Sequence, residues 1–591
     1  MLQHNKFLLA ARNIDWLKNY FTFQAYLQQP FALGLLKFEH FNYPFGEYIL
    51  YTDNSPVFAI AVKLFSNYIF DVSADGLFVY HLFLVSGILL STFLLFQILT
   101  CLIQDRACII FFSLILPWLQ PQLFRLGGHF SLSFSFVLLL GILFLLRSYR
   151  HFYTGKNIIK ELFWFVPALI IVSFIHLYYL PLVLVLVGYF CAAWVLQAFF
   201  RNENYRFLIA WSIAAVLIPL CVTYSIIRLT DGYYELRPDK ATGYSFVGNK
   251  LHLSDLYTAY AHNHLKFNYL FTPEPSGNWE PYAYLGSFAL YVGALLLIMG
   301  VFRLFFKAAF FPSVANHEFT RSFLLLFGVA SFGSLFISLG DYFNLFSSDL
   351  PVRNYLNIFR YLKKITESVT HFRALDRFGW VFFWFINLLV IYYYDQLLQS
   401  KSGKIVRFVA YTLALLALSD TLDAFAYYHR NVIANELTDP TLKKELYLAE
   451  GIQVSDFQAI LPIPFYYIGT EETDLEMSVP EDFQTKTIQL SLTSNLPLMA
   501  SQMSRTAPAQ AKEIFSLITG QASSNLKSKL NNKPLLVAVD TTLYNQHIKY
   551  CEKVPFRSSC QVYEAGRTFV QRHQLQPIGK FRNVILYSYK Y

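Results

Sequence analysis

The stretch GLFVYHLFLVSGILLSTFLLFQILTCLIQ (residues 76–104) contains no Asp, Glu, Lys or Arg. A helix rises about 1.5 Å per residue, and roughly 20 apolar residues cross the ~30 Å hydrocarbon core of a bilayer. This run is long enough to do so with residues to spare. Working outward from it, comparable apolar runs occur near 107–122, 131–147, 161–176, 177–200, 207–228, 283–306, 320–340, 377–396 and 405–424. The pattern predicts about ten transmembrane helices, with a turn near His176–Pro181 dividing the long stretch 161–200. Composition agrees. Of 591 residues, 55% are hydrophobic and only 14% charged, against about 25% charged in ordinary soluble domains. Sixty Phe and 41 Tyr suit lipid-facing helices with aromatic belts.

The expected fold is therefore a membrane all-α polytopic bundle, residues 76–424. Residues 1–75 precede it as an extracytoplasmic acidic loop with interfacial helices. Residues 425–591 follow as a soluble α/β or α+β domain, because charged and amide residues become frequent there. FQAILPIPFYYIG (457–469) reads as strand and turn, 509–518 as an amphipathic helix, and 533–540 and 583–591 as strands.

The net charge of +9 does not indicate nucleic acid, because the basic residues fall mainly in short loops. Arg106, then Arg147, Arg150, Lys156 and Lys160, then Arg201 and Arg206, then Arg303 and Lys307, and finally Lys401, Lys404 and Arg407 occupy alternate connections. The positive-inside rule makes that side cytoplasmic. The other side receives the N-terminal region, the loops 229–282 and 341–376, and the C-terminal domain. Cys551 and Cys560 lie in that last part and can pair if it faces an oxidising compartment.

Four groups of polar residues on the outer side are candidates for chemistry. Asp15, Glu47 and Asp53 lie among aromatics. Hard carboxylate oxygens can hold a divalent metal, Mg or Mn, and Asp15 and Asp53 are the metal candidates. A carboxylate can equally serve as a general base, or Asp53 can simply cap a helix. Arg125 and His129 flank Gly127–Gly128 in a tight turn at the membrane surface, where an Arg suits phosphate or merely snorkels. Trp279 and Glu280 offer a sugar-stacking face and a partnered acid, or an interfacial anchor. Arg373 and Arg377, spaced for one helix face, form either a phosphate clamp or an ion pair with Asp376 or Glu280.

DWLKNYFTF (15–23), NYPFGEYILYTDNSP (42–56), FRLGGHFSLSFSF (124–136), WEPYAYLG (279–286), FRALDRFGWVF (372–382) and FQAILPIPFYYIG resemble bacterial membrane proteins related to the C-type integral-membrane glycosyltransferases. The resemblance implies a polyprenyl-phosphate-sugar donor and a glycan, lipid or protein acceptor, with the chain in the bacterial cytoplasmic (inner) membrane. It implies that Asp15 is the acidic residue of the first outside loop, with Glu47 or Asp53 as the second acidic site. Asp15 or Asp53 would take the acceptor proton, and Arg125, Arg373 and Arg377 would neutralise the lipid phosphate. It also implies a helix before Asp15, which this sequence does not show. A transporter or flippase for a lipid-linked sugar, and a non-catalytic membrane assembly protein, are the alternatives.

Overall fold

The structure is a computed structural model describing residues 5–10, 15–241, 249–258, 282–306, 318–344, 351–372, 374–399, 404–469, 471–520, 522–543 and 558–591. Helices α1 (Asp15–Gln28) and α2 (Pro56–Tyr68) pack together. The long helix α3 (Gly76–Leu102) follows, then α4 (Arg106–Leu119), α5 (Phe136–Tyr153), α6 (Ile159–Ser173), α7 (Tyr179–Phe200) and α8 (Tyr205–Thr230). After these come α9 (Ser287–Phe306), α10 (Glu318–Ser338), the short α11 (Ile358–Leu362), α12 (Gly379–Gln399) and α13 (Lys404–Arg430).

Among the described residues, eight helical segments are long and apolar enough to cross a membrane: Ser73–Leu102, Arg106–Gly127, Phe130–Tyr153, Tyr179–Phe200, Tyr205–Thr230, Glu318–Ser338, Leu375–Gln399 and Arg407–Arg430. The protein is a multi-pass membrane protein. The other two expected spans are helical but shorter. α6 has 15 residues, about 22 Å at the helical rise. The apolar part of α9 runs Ser287–Phe302.

The outer surfaces of these helices explain why the fold needs lipid. α3 buries Tyr80, Leu84, Ile88 and Leu95, while Leu82, Leu89, Phe93 and Phe96 are exposed on its other faces. Facing water, such residues would forfeit about 25 cal/mol per Å²; facing hydrocarbon they forfeit nothing. Inside the bundle, α3 packs on α4 and α5, α7 on α8 and α10, and α10 on α12. Gly87 is required at one crossing, where a Cβ would collide with the ring of Phe134.

One expected surface turn is not at the surface. Pro117 lies in α4, and a 3-10 turn, Pro121–Gly127, continues it into the protein. All of Pro121–Gly127 is buried, and Arg125 is only 1% exposed.

Described residues from several of the connections expected on one side meet one another. Asn42 and Tyr43 donate backbone hydrogen bonds to Ala500 and Leu498, and Leu498 donates to His40. Tyr178 bonds the backbone of His371 and Ala374. The strand Phe7–Leu9 pairs antiparallel with Val432–Ala434, which follows α13.

The C-terminal part contains a five-stranded sheet in the order Leu446–Leu448, Pro577–Phe581, Val584–Tyr589, Leu535–Val539, Ile460–Ile463. The last two strands are parallel, and the remaining neighbours antiparallel. Leu535–Val539 is buried at every position, as an uninterrupted apolar strand should be. The expected helix forms as Pro508–Thr519. Cys551 lies outside the described residues, and so does its pairing with Cys560.

Candidate functional site

The site is built around the loop that enters α2. Asp53 and Ser55 both adopt left-handed backbone angles, φ +56 and +58. Asp tolerates this region better than most residues. Pro56 then starts the helix at a position where no N–H is needed. The result is not a helix cap. Ser55 holds the cap position, and the Asp53 carboxylate turns instead to the Lys18 ammonium at 2.6 Å.

His176 supplies the next wall, from the turn between α6 and α7. Its Nδ1 accepts the backbone N–H of Tyr178 at 3.1 Å. The proton of the neutral ring therefore sits on Nε2, which faces Asp53 Oδ1 at 3.6 Å. Burial pushes the His176 pKa down to about 3, against the attraction of Asp53 and with help from Arg377 and His129. Burial alone would raise Asp53. Lys18, His176 and His129 outweigh it and hold the carboxyl well below the usual carboxylate range. At neutral pH the arrangement is a carboxylate, an ammonium and an uncharged imidazole. His129 joins them and lies 3.7 Å from Asp15, the first residue of α1.

Arg377 stands at the entry to α12, with its guanidinium carbon 4.3 Å over the Tyr178 ring. The neighbouring Asp376 takes a different partner. It pairs with Arg125 at 3.2 Å, both side chains 1% exposed, and Arg125 also lies 5.5 Å over the Trp380 ring. Arg125 is thus a structural cation and not, as expected, a phosphate ligand at the surface. Arg373, Trp279 and Glu280 lie outside the described residues.

Glu47 also departs from expectation. It is fully buried and pairs with Arg237 at 3.1 Å. Asp231 grips the same guanidinium at 2.6 and 3.2 Å and accepts the Tyr51 hydroxyl at 2.8 Å. Burial raises the Glu47 pKa, opposed by Arg237 and assisted by Asp231. Glu47 anchors this cluster and does not face the cavity.

A cavity of about 1060 Å³ joins most of these groups. At its polar end stand Asp53, His129, His176, Arg377, His371 and Arg505. Its other end is an apolar groove along α7 and α8, floored by Leu184, Gly188, Ala192, Val216 and Leu220. From Leu180 to Ala192 the groove follows α7 for about 18 Å. A Cβ on Gly188 would meet no atom within 4 Å, so the groove is open there.

Of the site residues expected from sequence, the structure brings Asp53, His129 and Arg377 to one cavity, with Asp15 behind His129. Lys18, His176, His371, Glu471 and Arg505 escaped the sequence reading. One signal for His176 was available, a histidine in the only break of the apolar stretch 161–200. Among the described residues no group of three or more His, Cys, Asp or Glu could hold a metal ion. Lys18 already neutralises Asp53, and its charge would repel a divalent cation held there.

A family model described as a domain of unknown function, DUF6311, matches residues 2–421. The chain belongs to the DUF6311 family. Comparison with curated proteins gives no match. The DUF6311 region holds the cavity wall from Leu50 to Arg377. Glu471, Ser504 and Arg505 reach the same cavity from beyond the DUF6311 region.

Proposed function

We propose that this chain is an integral-membrane glycosyltransferase, a hexosyl- or pentosyltransferase, that moves a sugar from a polyprenyl-phosphate donor to a hydroxyl of a glycan, lipid or protein. The observation carrying this reading is the division of one cavity into an apolar groove and a charged end. Such a cavity fits a ligand with a long hydrocarbon tail and a phosphorylated head. The tail lies along α7 and α8, and the phosphate meets the fixed charge of Arg377. The alternating Lys/Arg loops support an orientation with the cavity face extracytoplasmic, and the family resemblance supports a bacterial cytoplasmic membrane.

The residues then divide the chemistry. Asp53, ionised throughout the physiological range, accepts a hydrogen bond from the acceptor hydroxyl and takes its proton as the new C–O bond forms. The bond from the sugar's anomeric carbon to the phosphate oxygen breaks, and the electron pair leaves with the lipid phosphate. Arg377 stabilises that charge as a positioned cation that needs little reorganisation. Lys18 and His176 position Asp53. The low pKa of Asp53 makes it a weak base, so much of the driving force comes from phosphate departure.

The test uses the full-length protein in lipid nanodiscs, radiolabelled polyprenyl-phosphate sugars and a cell-envelope acceptor fraction. Label should pass to the acceptor, and Asp53→Asn and Asp15→Asn should insert normally yet lose transfer. Full transfer by both variants overturns the reading. Passage of intact donor across vesicles without covalent change would make the protein a transporter instead.

A further inference from the structure

The C-terminal part meets the cavity through three residues among those described, Glu471, Ser504 and Arg505. Glu471 is 4% exposed. Its Oε1 lies 2.9 Å from His371 Nδ1, and its Oε2 lies 3.4 Å from Arg505 Nε. His371 belongs to the membrane bundle and also lines the cavity. A carboxylate, an imidazole and a guanidinium therefore stand side by side on one wall, drawn from two parts of the chain.

The backbone is held in place to achieve this. Arg505 adopts a left-handed angle, φ +62, which is costly for a long side chain. Its carbonyl accepts from Arg237 Nη1 at 2.6 Å, and its own Nη2 donates to the Pro238 carbonyl at 3.4 Å. The preceding turn is fixed where Met503 N–H donates to Ile468. A strained residue held by several partners at a cavity wall is where function is to be sought.

Resting on the glycosyltransferase reading, we infer that Glu471, His371 and Arg505 form the subsite that reads the hydroxyls of the donor sugar, so that the C-terminal part determines sugar specificity. Each carboxylate oxygen has two lone pairs, so Glu471 can accept sugar hydroxyls while keeping its partners. The guanidinium offers five donors in a fixed fork. The apolar groove and Arg377 hold the tail and phosphate, groups common to every donor, and the remaining polar wall is left to distinguish one sugar from another. A buried site built to bond hydroxyls rejects ligands lacking them, because its own polar groups would go unpaired.

The experiment compares two kinds of probe on the full chain in nanodiscs: a synthetic polyprenyl phosphate, and the same lipid phosphate esterified with either a hexose or a pentose. Glu471→Gln should weaken binding of at least one sugar-bearing probe tenfold or more and leave the bare lipid phosphate unchanged. Arg505→Lys, which keeps the charge and loses the fork, should shift binding in the same direction by less. Equal weakening of both probes would overturn the inference and make the cluster a clasp between the two parts. Unchanged sugar binding in both variants would overturn it too. If the wild-type chain binds neither probe, the donor reading itself fails and takes the subsite with it. Binding of the bare lipid phosphate alone sinks the subsite but not the groove.

Discussion

Two buried charge clusters lie close together and behave differently. In one, Glu47 and Asp231 surround Arg237, all three side chains 1% exposed or less. In the other, Lys18 and Asp53 pair at 2.6 Å, with Asp53 17% exposed toward the cavity. Both pair a cation with carboxylate oxygens at 2.6–3.1 Å. The first spends its carboxylates on one guanidinium and ties Glu47, Asp231 and Arg505 into one unit. The second leaves a carboxylate edge open to a ligand. A closed ion-pair cluster fixes geometry, and an opened one can do chemistry.

The largest expected effect tests the closed cluster. Arg237→Met strands two buried carboxylates and should destabilise the fold by about 3–5 kcal/mol. Thermal unfolding in detergent reads this, and a change below 1 kcal/mol would mean that the cluster carries no structural burden. Asp53→Asn comes next. Sugar transfer should fall by about 10²–10⁴-fold, the usual contribution of a positioned base. Some stability should go as well, because the Lys18–Asp53 ion pair is lost. The double variant Lys18→Met with Asp53→Asn should recover the stability and not the transfer. Recovery of both would place Asp53 in the structural class.

Solution pH tests the opened cluster. His176 is held neutral to about pH 3 when folded and titrates near 6.5 when unfolded. Above pH 6.5 it contributes no pH dependence. As pH falls from about 6.5 toward 3 the unfolded chain gains a proton that the folded chain refuses. Stability then drops by up to about 1.4 kcal/mol per pH unit. His40, pushed down to about 4 by burial, acts in the same direction. Asp53 adds stability that is complete above about pH 4 and is lost only as pH falls below the unfolded carboxyl value. His176→Gln should therefore flatten the unfolding profile between pH 6.5 and 4 by one proton, while Asp53→Asn should leave that window alone. An unchanged profile in His176→Gln would show that the imidazole is not buried neutral. The smallest structural effect belongs to Gly188→Phe. The open groove should accept the ring with a change under about 1 kcal/mol, near the glycine penalty in a helix. Binding of a polyprenyl phosphate should nevertheless weaken at least tenfold. Unimpaired binding would put the tail elsewhere.

The sequence made some of this legible. Apolar runs such as 76–104 and 535–539 declare their elements, because burial on every side leaves no room for polar residues. Candidate charges were legible as residue types on one face. Their partners were not. Arg125 and Arg377 read alike, both flanked by apolar spans, and only the fold shows that Asp376 serves Arg125. Lys18 meets Asp53 across 35 positions, and His371 meets Glu471 across 100. Pairings at that range come from tertiary packing and have no periodicity to betray them. Gly127 and Gly128 signal a bend without saying on which side of the surface it lies, and the structure buries it.

The pairing of Phe7–Leu9 with Val432–Ala434 imposes a parity rule. Two strands joined by hydrogen bonds stand on the same side of the bilayer, so the chain between them crosses it an even number of times. The eight long helices obey this rule. Any shorter helix that also crosses must bring a second with it, and α6 and α9 form such a pair. A reporter fused between α7 and α8 should therefore lie on one side if both helices cross and on the other if neither does, whereas a reporter fused just before α10 should keep its side in either case.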